Sequence, residues 1–399
     1  MKRTLLFTIA AALMSLAVAQ TIDNKTAKKN IKTVKANLKS GSSLDAAVSI
    51  MDKMLAQEPY SSDASMYDMA GRVQQAIYEA ENKKLYLKKS YDTLKLYNAY
   101  GRMFSLYMQC DSVESVRSKY EYRRKNARLM EALLPNLLFI SHHYQKRLQW
   151  EEAKRFADLY LTVSQTPMLE SVGYVRVDSL VDYARFLAVE SAVGQKDYPA
   201  VLSYLPLAYG TSRFAEYALE QVCEAYKATS EVDSMLTSLR CGVERFPQNQ
   251  YFFAHLIDYY NQNHLYTEAL GYAEDMVKRD SASAYYLFVK GYVLQQMERY
   301  DEAIDVLSLS FNADTLYQPT IQSLGFCYFQ KANAMQENLF QNRTKKKYKA
   351  TMQQLYRSSL HYYEMVRRAF PEKKELWYDW LYTIYYRLNM GVELQELEN

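Results

Sequence analysis

Residues that turn a backbone are scarce in this sequence: 11 Gly and 8 Pro among 399 residues, where average usage would supply roughly 28 and 20. An all-β sandwich or barrel needs Gly, Pro and Asn at many turns, so that class is excluded. Collagen-like and low-complexity chains fail on the same count. The glycines are also far apart, the closest two being Gly194 and Gly210. A dinucleotide fingerprint, a Walker A loop and a nucleophile elbow each place two glycines within about five residues, because the backbone must turn sharply or approach a phosphate. None of the three is present.

Other chemistry is missing too. The five histidines, His142, His143, His255, His264 and His361, include no pair at i and i+4, and no zinc-protease, deaminase or calcium-loop pattern occurs. Cys110, Cys223, Cys241 and Cys327 are too few and too scattered for a disulfide framework or a zinc site. The sequence therefore points to no metal, no cofactor and no catalytic residue, and the expectation is a protein that is not an enzyme. Charge is nearly balanced at +4, or +2 (47 basic minus 45 acidic residues) once Lys2 and Arg3 are removed. That balance gives no case for a nucleic-acid partner. One basic cluster, Arg343, Lys345, Lys346, Lys347 and Lys349, stands out. It reads as a solvated loop or helix end, with contact to an anionic surface as the alternative.

The N-terminus has a basic start, an apolar run from Leu5 to Leu16, and Ala17-Val18-Ala19. That order is a secretory signal peptide cleaved after Ala19. The run is too short for a membrane span, and no later stretch reaches spanning length. The expectation is an exported chain, periplasmic or secreted, with no transmembrane segment after cleavage.

What the chain does have is 49% hydrophobic residues, 38 tyrosines and an internal period. Tyr266-Thr-Glu-Ala269-Leu270 returns as Tyr300-Asp-Glu-Ala303-Ile304, and Val289-Lys-Gly291-Tyr292 as Ser323-Leu-Gly325-Phe326, each at an offset of 34. Trp150-Glu-Glu-Ala153 has the same shape. The pattern resembles the tetratricopeptide repeat, a 34-residue helix–turn–helix unit. In that family positions 4, 11 and 17 are large, positions 8, 20 and 27 are small, and Pro lies near 32. Starts at 182, 216, 250, 284 and 318 fit it best. Further starts at 134 and 28 place Trp150 and Leu44 at position 17, and Ala153 and Ala47 at position 20. Positions 4, 7 and 11 form one apolar stripe of the first helix. Helices of about 14 residues are marginal alone, so each pair needs its neighbour.

The resemblance implies an all-α fold, an α-solenoid of stacked antiparallel helix pairs forming a right-handed superhelix. The organisation it suggests is a leader over 1–19, degenerate helical repeats over 20–133, and a repeat array over 134–371 with an insertion near 337–358. A capping helix and tail over 372–399 complete it. Departures are visible: Ile257 and Met235 stand where small residues belong, and Pro206 should kink a helix. Residues 62–133 resist phasing. The last helix, Leu376 to Arg387, should end at Gly391 as C′ residue, followed by a polar tail. Cys223 and Cys241, at positions 8 and 26 of one unit, are either close enough to bridge or simply two small buried thiols.

In the family the inner surface is built from positions 2, 5, 9, 12 and 13 of the first helices. Members that grip a terminal carboxylate use Lys at 5 with Asn at 9, a pair no unit here has. What those positions carry instead is aromatic and amide-rich. The candidate partner-binding residues are Tyr251, Tyr285, Phe288, Tyr292, Phe326, Phe329, Tyr378 and Tyr382. The implied role is a non-catalytic scaffold of the cell envelope that binds a protein or peptide. Glycan binding or envelope assembly through the same aromatics is the alternative, and an enzyme the residual one. Aromatic rings that merely fill gaps between repeats compete with every one of these site assignments.

Overall fold

The computed structural model describes residues 22–341 and 347–398. The leader with its cleavage point, and Arg343, Lys345 and Lys346 of the basic cluster, lie outside them. The described residues are all-α, with no strand among them. They form two compact units that divide between Met235 and Leu236.

The first unit contains α1 (Asn24–Ser40), α2 (Leu44–Leu55), α3 (Ala64–Tyr86), α4 (Thr93–Val116) and α5 (Arg123–Leu133). It continues through α6 (Asn136–Gln145), α7 (Trp150–Val163), the short α8 (Pro167–Glu170) and α9 (Asp178–Gln195). Then come α10 (Tyr198–Leu202), α11 (Leu205–Ala208) and α12 (Ala215–Ala228), and the boundary falls inside α13 (Val232–Arg245). The second unit contains α14 (Gln250–Gln262), α15 (Tyr266–Arg279), α16 (Ala284–Gln296) and α17 (Tyr300–Ala313). It closes with α18 (Gln318–Gln341), α19 (Lys347–Ala369), α20 (Tyr378–Leu388) and α21 (Gly391–Glu398). Within each unit helices pack chiefly on their sequence neighbours, as in the pairs α3–α4, α6–α7, α16–α17 and α18–α19.

The 34-residue phase is borne out in six of the seven units; in the one starting at 318, position 17 (Ala334) lies inside α18. In six phased units position 17 opens the second helix: Leu44, Trp150, Tyr198, Val232, Tyr266 and Tyr300 are the first residues of α2, α7, α10, α13, α15 and α17. Positions 8 and 20 are where paired helices touch. The Ser141 hydroxyl donates to the Ala153 carbonyl at 2.7 Å across α6 and α7. A Cβ added to Gly291 would lie 2.5 Å from Leu307 Cγ and 3.5 Å from the Ala303 carbonyl oxygen. Ala153, Ala269 and Ala303 are fully buried.

A chain so short of glycine still turns, and it does so with other residues. Leu148, Lys196, Ser230, His264 and Glu298 all adopt left-handed backbone, with φ of 58°, 57°, 61°, 57° and 59°. Each is position 15 of its unit. Each caps its helix in the same way: the Glu298 N–H donates to the Gln295 carbonyl at 3.0 Å, and the Arg299 N–H to Leu294 at 3.0 Å. His264 and Leu265 repeat the pattern on Asn261 and Tyr260. This is a Schellman cap, normally closed by glycine. A side chain there costs roughly 1–2 kcal/mol, part of which glycine would return as unfolded-chain entropy. Glu298→Gly should therefore raise the thermal midpoint by about 1–3 °C, read by differential scanning calorimetry; a fall would contradict the strained-cap account.

Four features qualify the repeat pattern. Residues 62–133 resist the 34-residue phase because α3 and α4 have 23 and 24 residues, far longer than a repeat helix. Gly71 sits where they cross, a built Cβ falling 2.4 Å from the Tyr107 ring. Pro206 does more than kink its helix, since it sits in the first turn of α11 after a break that ends α10 at Leu202. Around the insertion read near 337–358, of which 342–346 lie outside the described residues, both helices of the pair are long, with 24 residues in α18 and 23 in α19. The last helix is capped by Asn389, at φ 57°, rather than by Gly391, and the expected polar tail is α21, which buries Leu397.

Much of the tyrosine excess is core. Tyr100, Tyr107, Tyr160, Tyr356 and Tyr363 are among the largest fully buried side chains. None of the four cysteines, Cys223 and Cys241 included, forms a disulfide.

Candidate functional site

The second unit holds the aromatic residues singled out by the repeat phase, and α16 presents the clearest group. Ser283 caps this helix by accepting from the Tyr286 N–H at 3.3 Å. The residues that bury it, among them Tyr286, Leu287, Val289, Gly291, Val293 and Leu294, cover two sides. The stripe at i, i+3 and i+7 that stays half-open is Tyr285, Phe288 and Tyr292. The Phe288 ring lies 5.9 Å from Tyr292 and 5.5 Å from Tyr317, the latter edge-on. Tyr285 meets Phe253 edge-on at 6.0 Å. These are ordinary aromatic geometries, stabilising by about 0.5–1.5 kcal/mol per pair beyond burial. Tyr251, one unit earlier, lies against the His255 ring at 4.1 Å and is half-buried.

Asp258 of α14 is exposed and forms no ion pair among the described residues. Its charge is felt by two of the rings. Burial first, then Tyr317 and Asp258, push the Tyr285 phenol up to about 12. Burial, Asp258 and Tyr266 raise Tyr292 in the same direction. The group is thus three half-open rings with one unneutralised carboxylate at their edge.

The remaining candidates separate from it. Phe326 and Phe329 pack edge-on against Trp380, at 5.7 and 5.3 Å. Phe329 is buried and also touches Tyr356, so it belongs to the C-terminal core and offers no ring to a partner. The cause is α20, whose Trp380 packs on both rings. Tyr378 is half-buried beside Trp377, at 6.2 Å, while Tyr382 is exposed together with Tyr386.

Two residues of the same kind escaped the sequence reading. In the first unit, Tyr183 and Phe186, on α9, occupy positions 2 and 5 of the repeat starting at 182. Phe186 stacks on Phe214 at 4.5 Å and meets Tyr217 edge-on at 5.4 Å. Applying the position rule to the repeat starting at 182 would have found them. It also exposes a regularity: Tyr183, Tyr217, Tyr251 and Tyr285 recur every 34 residues, and all four are half-buried.

These phenols give a pH signature. Burial and then the carboxylates of Glu190 and Glu220 push Tyr217 up to about 12, as Tyr285 is pushed. The folded chain therefore holds these protons more tightly than the unfolded chain, whose phenols titrate near the ordinary 10.0. The stabilisation is complete below pH 10 and is lost as pH rises towards about 12. Urea midpoints should fall across that window, and Tyr217→Phe with Tyr285→Phe should make the fall less steep, the remainder coming from other buried phenols such as Tyr204. An unchanged slope in the double variant would contradict the assignment.

Among the described residues no group of three or more His, Cys, Asp or Glu stands close enough to hold a metal, and no helix is long and apolar enough to cross a membrane. No family model and no curated protein matches the chain. Among solved structures it is similar to the P58(IPK) TPR domain at 14% identity, over 91% of this chain and 98% of that one, with a TM-score of 0.30.

Proposed function

We propose that the chain is a non-catalytic binding scaffold that captures a protein segment on the aromatic stripe of α16. The observation that carries this reading is the half-open trio Tyr285, Phe288 and Tyr292 beside the unpaired Asp258. Helices that are buried on two sides and still leave rings part-open present rigid anchors that lose little entropy on binding. An extended segment laid along the stripe would place apolar side chains between the rings. The carboxylate favours a segment that also carries a basic residue. Tyr251 belongs to the same surface, whereas the exposed Tyr382 and the half-buried Tyr378 and Phe326 are secondary. The leader-like residues up to Ala19 support placing this scaffold in the cell envelope of an exporting cell.

Panning a random peptide display library against the chain from residue 20 onward tests the reading. The expected outcome is an enriched motif of one or two aromatic or aliphatic residues with a Lys or Arg nearby. Peptides enriched without a basic residue would remove Asp258 from the account. Enrichment on a glycan array, with no peptide selected, would transfer the stripe to carbohydrate.

A further inference from the structure

The first helix carries a different surface. Within α1 stand six lysines, Lys25, Lys28, Lys29, Lys32, Lys35 and Lys39, with no acidic residue and no arginine. The whole chain has a net charge of +4, so everything outside this helix sums to −2. At 100° per residue the six fall within an arc of about 120°, in a strip about 21 Å long. All six are exposed, and none makes an ion pair among the described residues.

The other side of α1 is fixed. Ala27 and Val34 are buried, and Ile31 and Leu38 pack on the same core as Met51, Met54 and Val73. The acids of the adjacent helix are engaged elsewhere: Asp45 with Lys95 at 2.7 Å and Asp52 with Arg102. Along one edge of the strip, Lys35, Lys39 and Arg72 line a hollow of about 500 Å³ between α1 and α3, together with Gln75 and Glu79. The Glu79 carboxylate accepts from the Gln75 side-chain amide at 2.8 Å. Three cations against one acid leave the hollow net positive.

We propose that α1 is a peripheral docking strip for an anionic lipid bilayer, with the hollow at Lys35, Lys39 and Arg72 receiving a headgroup phosphate. A nucleic acid or phosphopeptide site reads its ligand with arginine forks and stacking rings; beyond the single Arg72 at the hollow, the strip has neither. Lysine heads on flexible stems instead meet a plane of phosphates without requiring a fixed geometry, each contributing about 1 kcal/mol near an anionic surface. A straight strip on one side of a rigidly packed helix matches a plane better than it matches a folded acidic partner. With no large apolar side chain exposed on α1, the attachment is electrostatic and reversible rather than inserted.

Co-sedimentation of the chain from residue 20 onward with phosphatidylcholine vesicles, with and without phosphatidylglycerol, tests this. Binding should need the anionic lipid and be abolished near 0.5 M salt, where screening reaches within roughly 4–5 Å. The quadruple variant Lys28→Gln, Lys32→Gln, Lys35→Gln, Lys39→Gln should lose about 100-fold or more in vesicle affinity. A control with Lys83→Gln, Lys89→Gln, Lys373→Gln and Lys374→Gln removes as much charge from other exposed positions and should keep most of it. Circular dichroism confirms folding of both. Equal binding to neutral vesicles, equal loss in both variants, or binding to polyglutamate or an oligonucleotide in preference to anionic vesicles would overturn the proposal.

Discussion

Tyr363→Ala should lower the unfolding free energy of the second unit by about 3–5 kcal/mol. The ring is 2% exposed and stacks flat on Trp380, centroids 5.2 Å apart and 8° from parallel. Its other side lies against Gly325, where a built Cβ would stand 2.7 Å from Tyr363 Cε2. Removing it opens a cavity that the long helices α18 and α19 cannot collapse, because Trp377, Leu381 and Ile384 hold the far wall. Gly325→Ala should cost about 1–3 kcal/mol by forcing the same ring outward. The two changes should be strongly non-additive, since alanine at 325 has room once the ring is gone. Urea unfolding followed by tryptophan fluorescence reads all four corners of the cycle, as two of the chain's 3 Trp lie in this cluster. Tyr386→Ala, at an exposed position of α20, should move stability by less than about 0.5 kcal/mol. Additivity between positions 325 and 363 would contradict the packing described.

Phe288→Ala with Tyr292→Ala should weaken a selected peptide by about 30-fold to 1,000-fold, the range of two anchor residues at about 1–2 kcal/mol each. Neither ring is fully buried, so the loss should appear in affinity while the thermal midpoint falls by only a few degrees. Phe288 is the more informative of the two, because its ring touches both Tyr292 and Tyr317. Asp258→Asn should cost less, about 3-fold to 10-fold, and remove most of the salt dependence of binding. Isothermal titration separates these effects from unfolding. A double variant that binds as well as the parent, or one that has lost its helicity, would return the rings to the core.

The helix pairs were legible in the sequence because they rest on steric rules that repeat. Alanine at position 20 and glycine at position 8 mark where two helices touch, and Ala303 and Gly291 stand there as the period requires. The turns were not legible. Leu148 and Glu298 have no compositional tendency towards left-handed backbone, and they adopt it because the cap hydrogen bonds and the neighbouring helix over-determine it. The long pairs keep the stacking but abandon the period: α18 with α19 was signalled by the insertion near 337–358, and α3 with α4 only by the failure of residues 62–133 to phase. For the candidate site, the position rules point to the stripe on α16 and equally to Tyr183 and Phe186 of the repeat starting at 182. They misplaced Phe329 for a tertiary reason: Trp380 arrives from a helix some 50 positions away in sequence and buries it. The lysine strip of α1 was visible in plain composition. It becomes meaningful only when the opposite face proves to be packed.

Photo-crosslinking shows whether the stripe of α16 faces a bound segment. Benzoylphenylalanine placed at position 292 should crosslink a library-selected peptide in high yield, and the same probe at the exposed position 386 should not. Crosslinking confined to 386, or equal at both positions, would contradict the assignment of the binding face.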